Sequence, residues 1–114
     1  FKQKTAYEML RSLVGSEMCI RDRIIHIDRF GNAFTAITGE HLGKADARRY
    51  TVIIEGQAPV PVLTCYAQAP AGTALAVVNA AGFLEIAVNG GNAARVLGLK
   101  IGSRIKAHTQ AGTL

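Results

Sequence analysis

The chain has 114 residues, 49% of them hydrophobic and 18% charged, which is the composition of one compact globular domain and excludes a disordered or fibrous chain. It has no apolar run near the roughly 18 residues that span a bilayer, its charged N-terminus leaves no room for a signal segment, and its two cysteines match no metal or redox spacing. A soluble protein of the reducing cytoplasm is expected, and the formal charge of +5 is scattered rather than gathered into a polyanion-binding stripe.

Residues 1–23 fit a helix. Thr5 and Glu8 make a capping box, Ala6, Met9, Leu10, Leu13 and Val14 share one helical face, and Gly15 ends the pattern. The same string, FKQKTAYEMLRSLVGSEMCIRDR, resembles a translated sequencing-adapter read-through. On that reading residues 1–23 are a non-native extension, Cys19 carries no meaning, and native sequence begins near Ile24.

From Ile24 onward short runs rich in Val, Ile, Thr and aromatics alternate with Gly, Pro, Asn and Asp. Strands are predicted at 24–28, 33–37, 50–55, 61–66, 74–79, 83–88 and 103–108. The fold class is therefore all-β, a small antiparallel barrel or a sandwich. Pro59 and Pro61 lack N–H donors, which places the strand around Val60 at a sheet edge. Leu84, Ile86 and Val88 share one face of their strand, with Phe83, Glu85 and Ala87 on the other. One short helix is expected near 92–97, capped by Asn92 and closed by Gly98 in the left-handed conformation.

Two stretches carry candidate chemistry. In IIHIDRFGNAFTAI, residues 24–37, alternation puts Ile25 and Ile27 on one face and His26 and Asp28 on the other. A tight turn through Gly31 then brings the Asp28 carboxylate and the Asn32 amide to one rim, a pair suited to an ammonium and a heterocyclic edge. Asp and Asn around Phe-Gly equally serve as turn formers bonded to their own backbone. In NAAGFLEIAVNGGNAARVLG, residues 79–98, Asn89, Gly90 and Gly91 lead a strand into the helix. Bare glycine backbone admits a close ligand, and N–H groups at the helix start attract an electron-rich one; a turn chosen only for its backbone angles reads the same way.

Tyr66, at the end of its predicted strand, offers either a flat face for a purine or one more core aromatic. Glu85 is expected to pair with Arg48 or Arg49. His26, His41 and His108 are too dispersed for zinc, and no Ser, His and Asp combine into a nucleophile set, so neither a metal nor a catalytic residue is expected in this chain.

Taken together, IDRFGNAFTAI and VVNAAGFLEIAVNGGNAARVLGLKIGSRI resemble the C-terminal domain of the SAM hydroxide adenosyltransferase family, relatives of the fluorinase and chlorinase, across residues 24–114. The resemblance implies a C-terminal β-barrel that binds substrate while a missing N-terminal α/β domain handles water. It also implies a homotrimer whose sites lie between neighbouring subunits. The reaction implied is attack of water or hydroxide at the 5′ carbon of S-adenosylmethionine, giving adenosine and methionine with no cofactor. By position, Asp28 is similar to the residue binding the methionine ammonium, Asn32 to the amide reading adenine, and Tyr66 to the aromatic against the purine. Asn89 and Gly90 fall in the segment whose main chain reads the adenine edge. Ala80 stands where the family usually has Ser near the methionine end, and Ala36 where it has Asn. The first change removes a hydroxyl worth roughly 0.5–1.5 kcal/mol if it bonded the ligand. The 114-residue chain alone is expected to be inactive.

Two other readings compete. A nucleic-acid-binding small barrel would use the positive charge with Phe30, Phe34, Tyr50 and Tyr66 as stacking residues. A purely structural module would use its strand edges for oligomer contacts. On the first-ranked reading the chain binds neither nucleic acid nor membrane.

Overall fold

Apolar alternation sorts the side chains of this sheet into an inside and an outside. The computed structural model describes residues 18–42 and 49–109, and in it seven strands form one sheet in the order β4-β3-β7-β1-β2-β6-β5. They are β1 (Met18–Ile27), β2 (Ala33–Thr38), β3 (Thr51–Ile54), β4 (Val60–Pro61), β5 (Ala74–Val78), β6 (Phe83–Val88) and β7 (Arg104–Thr109). All neighbouring pairs are antiparallel. A parallel bridge from Val62 to Ala76, with the Leu63 N–H donating to the Ala76 carbonyl at 2.7 Å, brings the β4 edge round to β5. The result is a nearly closed barrel with one short α-helix, α1 (Ala93–Leu97), as the spacing of strands and turns implied.

The interior is the expected one. Ile24, Ala33, Ile37, Val52, Leu84, Ile86, Ile105 and Ala107 are all buried in one cluster, and each large aliphatic there contributes about 1.5–3 kcal/mol by leaving water. Ends of α1 follow local chemistry. The Asn92 side chain accepts from the Arg95 N–H at 2.9 Å, and Gly98 closes the helix at φ 68°.

Four local expectations are corrected. First, β1 begins at Met18 rather than Ile24, since Met18–Arg23 pair residue for residue with β7 and seat Ile20 inside, opposite Ala107. The helical pattern over Ala6–Val14 lies outside the described residues. Second, β1 carries a bulge between Ile24 and His26, which resets its alternation. Ile24 is therefore the core residue, and Ile25 points outward at 39% exposure. Third, the strand predicted at 61–66 ends after Pro61. The chain turns into a 3-10 turn at Tyr66–Gln68, where the Gln68 Oε1 accepts from both the Thr64 N–H and hydroxyl at 2.8 and 2.9 Å. Fourth, β6 is buried on both faces. Leu84, Ile86 and Val88 face the barrel interior, while Ala87 joins Leu75, Val77, Ala69 and Leu63 in a second cluster under the 63–69 segment.

A second irregularity lies in β2, between Phe34 and Thr38. Thr35 is fully buried there, and its hydroxyl stands in for broken ladder bonds, donating to the Leu84 carbonyl at 2.7 Å and accepting from the Ile37 N–H at 3.1 Å. Unpaired buried backbone groups cost energy, so this hydroxyl is what makes the irregularity tolerable.

Candidate functional site

The β1–β2 turn is built by Asp28. Its Oδ1 accepts from the Phe30 and Asn32 N–H groups, each at 2.9 Å, and its Oδ2 accepts from the Asn32 Nδ2 at 3.3 Å. The turn-forming role is thus present, and it also sets the Asn32 amide on the rim with its Oδ1 taking no hydrogen bond from the described residues. Gly31, at φ 87°, lies directly against the Asn92 side chain, and its carbonyl accepts from the Ala94 N–H at 2.9 Å. Those contacts join the Asp28–Asn32 corner to the loop Asn89–Asn92. The two corners meet.

What the glycine loop offers differs from the expectation. Gly90 has φ 75° and open space above it, so main chain is exposed to approach. The Asn89 side chain, however, is engaged by the Ala69 carbonyl at 2.7 Å. The N–H groups of Ala94, Arg95 and Val96 are likewise taken, by Gly31 and by the Asn92 side chain and carbonyl. The start of α1 is capped by protein and leaves those three donors no room for a ligand.

Across the outer face of the sheet, register lines up His26, Phe34, Glu85 and Val77 on β1, β2, β6 and β5. His26 and Phe34 pack edge to face at 5.3 Å between ring centroids. Glu85, expected on a solvated face beside Arg48 or Arg49, is instead buried at 4% exposure. Its Oε2 accepts from the Tyr66 hydroxyl at 2.5 Å and its Oε1 from the Asn79 Nδ2 at 3.1 Å. Arg48 lies outside the described residues. Tyr66 sits on the 3-10 turn rather than a strand end, with its ring 44% exposed instead of buried in the core. Burial, then the Glu85 hydrogen bond and charge, then the charge of Asp28 push its phenol up to about 12. Of the two carboxylates, Glu85 is the one bonded to the Tyr66 hydroxyl.

Ala80 stands apart from the glycine loop. It is exposed in the turn between β5 and β6, and the six residues of β6 separate it from Asn89 by roughly 20 Å at about 3.3 Å per residue. Asn79, its neighbour, shapes that turn by accepting from the Ala81 and Phe83 N–H groups at 3.0 Å each. The polar row thus consists of two hydrogen-bonded groups, Asn79, Glu85 and Tyr66 on one side and Asp28 and Asn32 with the loop at Asn89–Asn92 on the other, bridged in register by Phe34 and His26. The pairing of Glu85 with Tyr66 in place of an arginine is not legible in the sequence, because the 63–69 segment that buries it lies some twenty residues upstream. The outward phase of β6 in a covered strand was the available signal.

Two concavities are present, the first away from this row and the second along the far side of the segment that carries Tyr66. One, of about 470 Å³, is lined by Arg21, Ile53, Glu55, Arg104 and Lys106, and one of about 540 Å³ by Pro59, Val60, Gln68, Pro70 and Leu97 among others. Among the described residues no three His, Cys, Asp or Glu cluster as a metal site.

Residues 22–106 match the family model described as the SAM hydroxide adenosyltransferase C-terminal domain. The chain is 35% identical over 83 residues to the (R)-S-adenosyl-L-methionine hydrolase of Thermus thermophilus, covering 73% of this chain and 30% of that protein. Among solved structures it resembles an uncharacterized conserved protein from Thermotoga maritima, with TM-score 0.69 and 30% identity over 78% of this chain. It also resembles a conserved hypothetical protein from Thermus thermophilus, with TM-score 0.63 and 34% identity over 82% of this chain. This chain spans 35% of each of those two chains.

Proposed function

Because the chain belongs to the SAM hydroxide adenosyltransferase family through its C-terminal domain, we propose that it binds S-adenosylmethionine for hydrolysis to adenosine and methionine. The observation that carries this reading is the Asn32 amide. Among the described residues its Oδ1 takes no hydrogen bond and its Nδ2 gives one to Asp28, which leaves an acceptor and a donor side by side for the N6 and N7 edge of adenine. The half-exposed Tyr66 residue offers a stacking face for the purine, and the carboxylates of Asp28 and Glu85 make the site attractive to a sulfonium or ammonium. Open main chain at Gly90 completes the adenine end.

In the reaction an oxygen of water or hydroxide bonds to the 5′ carbon as the carbon–sulfur bond breaks. The electron pair stays on sulfur as the thioether of methionine, and one proton leaves the attacking water. The sulfonium is already an activated leaving group, so the work of this domain is to hold both ends of the substrate in line. Activation of water belongs to an N-terminal α/β domain contributed by a neighbouring subunit of a homotrimer. Phe30, 65% exposed on the turn that meets α1, and Val96, 58% exposed on α1, are apolar surface for that neighbour to cover. Ala80 offers the methionine end only its backbone. The protein works in the cytoplasm without a cofactor.

Calorimetric titration of adenosine into the complete enzyme carrying this chain is the test. Asn32→Ala is expected to weaken binding about tenfold, within the ~1–3 kcal/mol of a bidentate amide–adenine contact. Unchanged affinity, or steeply salt-dependent binding of single-stranded oligonucleotides in place of adenosine, would overturn the assignment.

A further inference from the structure

A carboxylate inside a covered sheet face is costly, and an apolar side chain of similar volume would pack there at no such cost. Val77 and Ala87 do so in the adjoining cluster. Glu85 keeps its carboxylate and commits both oxygens to neutral donors from two separate segments, the Tyr66 hydroxyl and the Asn79 amide. Neither partner can easily be replaced. Gln68 and Asn89 hold the backbone around the 3-10 turn, but the Tyr66 ring is not buried by it, so the phenol bond is what fixes the ring itself over β6. Asn79 cannot reverse its amide without releasing the Ala81 and Phe83 N–H groups from its Oδ1.

We infer that Glu85 is a positioning residue that locks the Tyr66 ring as a preset platform for the adenosyl group and joins it to the Asn79 turn at the other end of the site. The inference rests on the reading that adenosine binds along this row. An ordered ring is presented to the ligand before it arrives, so binding does not have to immobilise it.

A double-mutant cycle on adenosine affinity in the complete enzyme, with thermal unfolding recorded alongside, tests it. Glu85→Ala is expected to weaken adenosine binding about three- to tenfold, the equivalent of freeing one side chain. Tyr66→Phe keeps the ring, loses the tie and falls in the same range. The double variant is no weaker than either single one, because both remove the same restraint. Glu85→Gln keeps an acceptor for the phenol but sets its NH2 against the Asn79 Nδ2, so it is expected to lose less adenosine affinity than Glu85→Ala while lowering the unfolding temperature. Losses that multiply in the double variant overturn the inference, as does a Glu85→Ala enzyme with altered unfolding and unaltered affinity. Should Glu85→Ala fail to fold, unchanged affinity in Tyr66→Phe overturns it equally. An unaltered enzyme that binds no adenosine sinks the binding reading and this inference with it, whereas multiplied losses in an enzyme that binds sink the inference alone.

Discussion

Replacing Gly31 by alanine tests how tightly the β1–β2 turn is keyed to α1. A Cβ at Gly31 would overlap the Asn92 amide, with Nδ2 2.6 Å away, so the Asn92 side chain must leave. The Arg95 N–H then loses its 2.9 Å acceptor, an N-cap loss of about 1 kcal/mol. Holding alanine at φ 87° adds about 1–2 kcal/mol. The lower freedom of alanine in the unfolded chain offsets roughly 0.4–1 kcal/mol, leaving a net loss near 2 kcal/mol. That is a large share of the ~5–15 kcal/mol that stabilises an ordinary domain. Equilibrium urea unfolding reads it. Asn92→Gly costs only a few tenths by itself and removes the obstacle, so in that background Gly31→Ala should cost roughly 1 kcal/mol or less. If the cost is equal in the two backgrounds to within about 0.3 kcal/mol, the overlap is not what makes glycine necessary.

Thr35→Val preserves shape but strands the Leu84 carbonyl and the Ile37 N–H in the core, and a loss of about 1–3 kcal/mol is expected by the same urea assay. The Tyr66 phenol ionises near 12 when folded against an ordinary 10.0, so its contribution to stability is complete below about pH 10 and is lost as pH climbs towards 12. Tyr66→Phe should flatten that limb of the urea midpoint against pH; an identical limb in the two proteins assigns the decline to other groups. The half-exposed ring keeps the effect small through solvent screening.

Features legible in the sequence were those whose causes are local. Asn92 caps and Gly98 ends α1 because each acts on backbone three or four residues away, and the Asp28–Asn32 turn closes on its own amides. Inward phase along β6 was readable at Leu84, Ile86 and Val88, since period-two burial needs no knowledge of the partner strand. The other phase was not. What covers Ala87 and reaches Glu85 is the 63–69 segment, some twenty residues upstream, brought there by the barrel's closure. The bulge at Ile25 was equally hidden, because an added residue leaves no mark in composition and is fixed by pairing with β2. Thus the corner holding Asp28 and Asn32 could be read in advance, while the buried acid behind Tyr66 could not.

The join between β4 and β5 gives the cylinder a slit. On the far wall β1 and β7 share six facing residue pairs, whereas here a two-residue strand and the Val62–Ala76 bridge hold the edges together. Breathing of the wall concentrates at such a thin suture. The chain leaving that suture at Leu63 runs straight into the turn that carries Tyr66, so the thinnest part of the wall and the aromatic plate over Glu85 belong to one continuous segment.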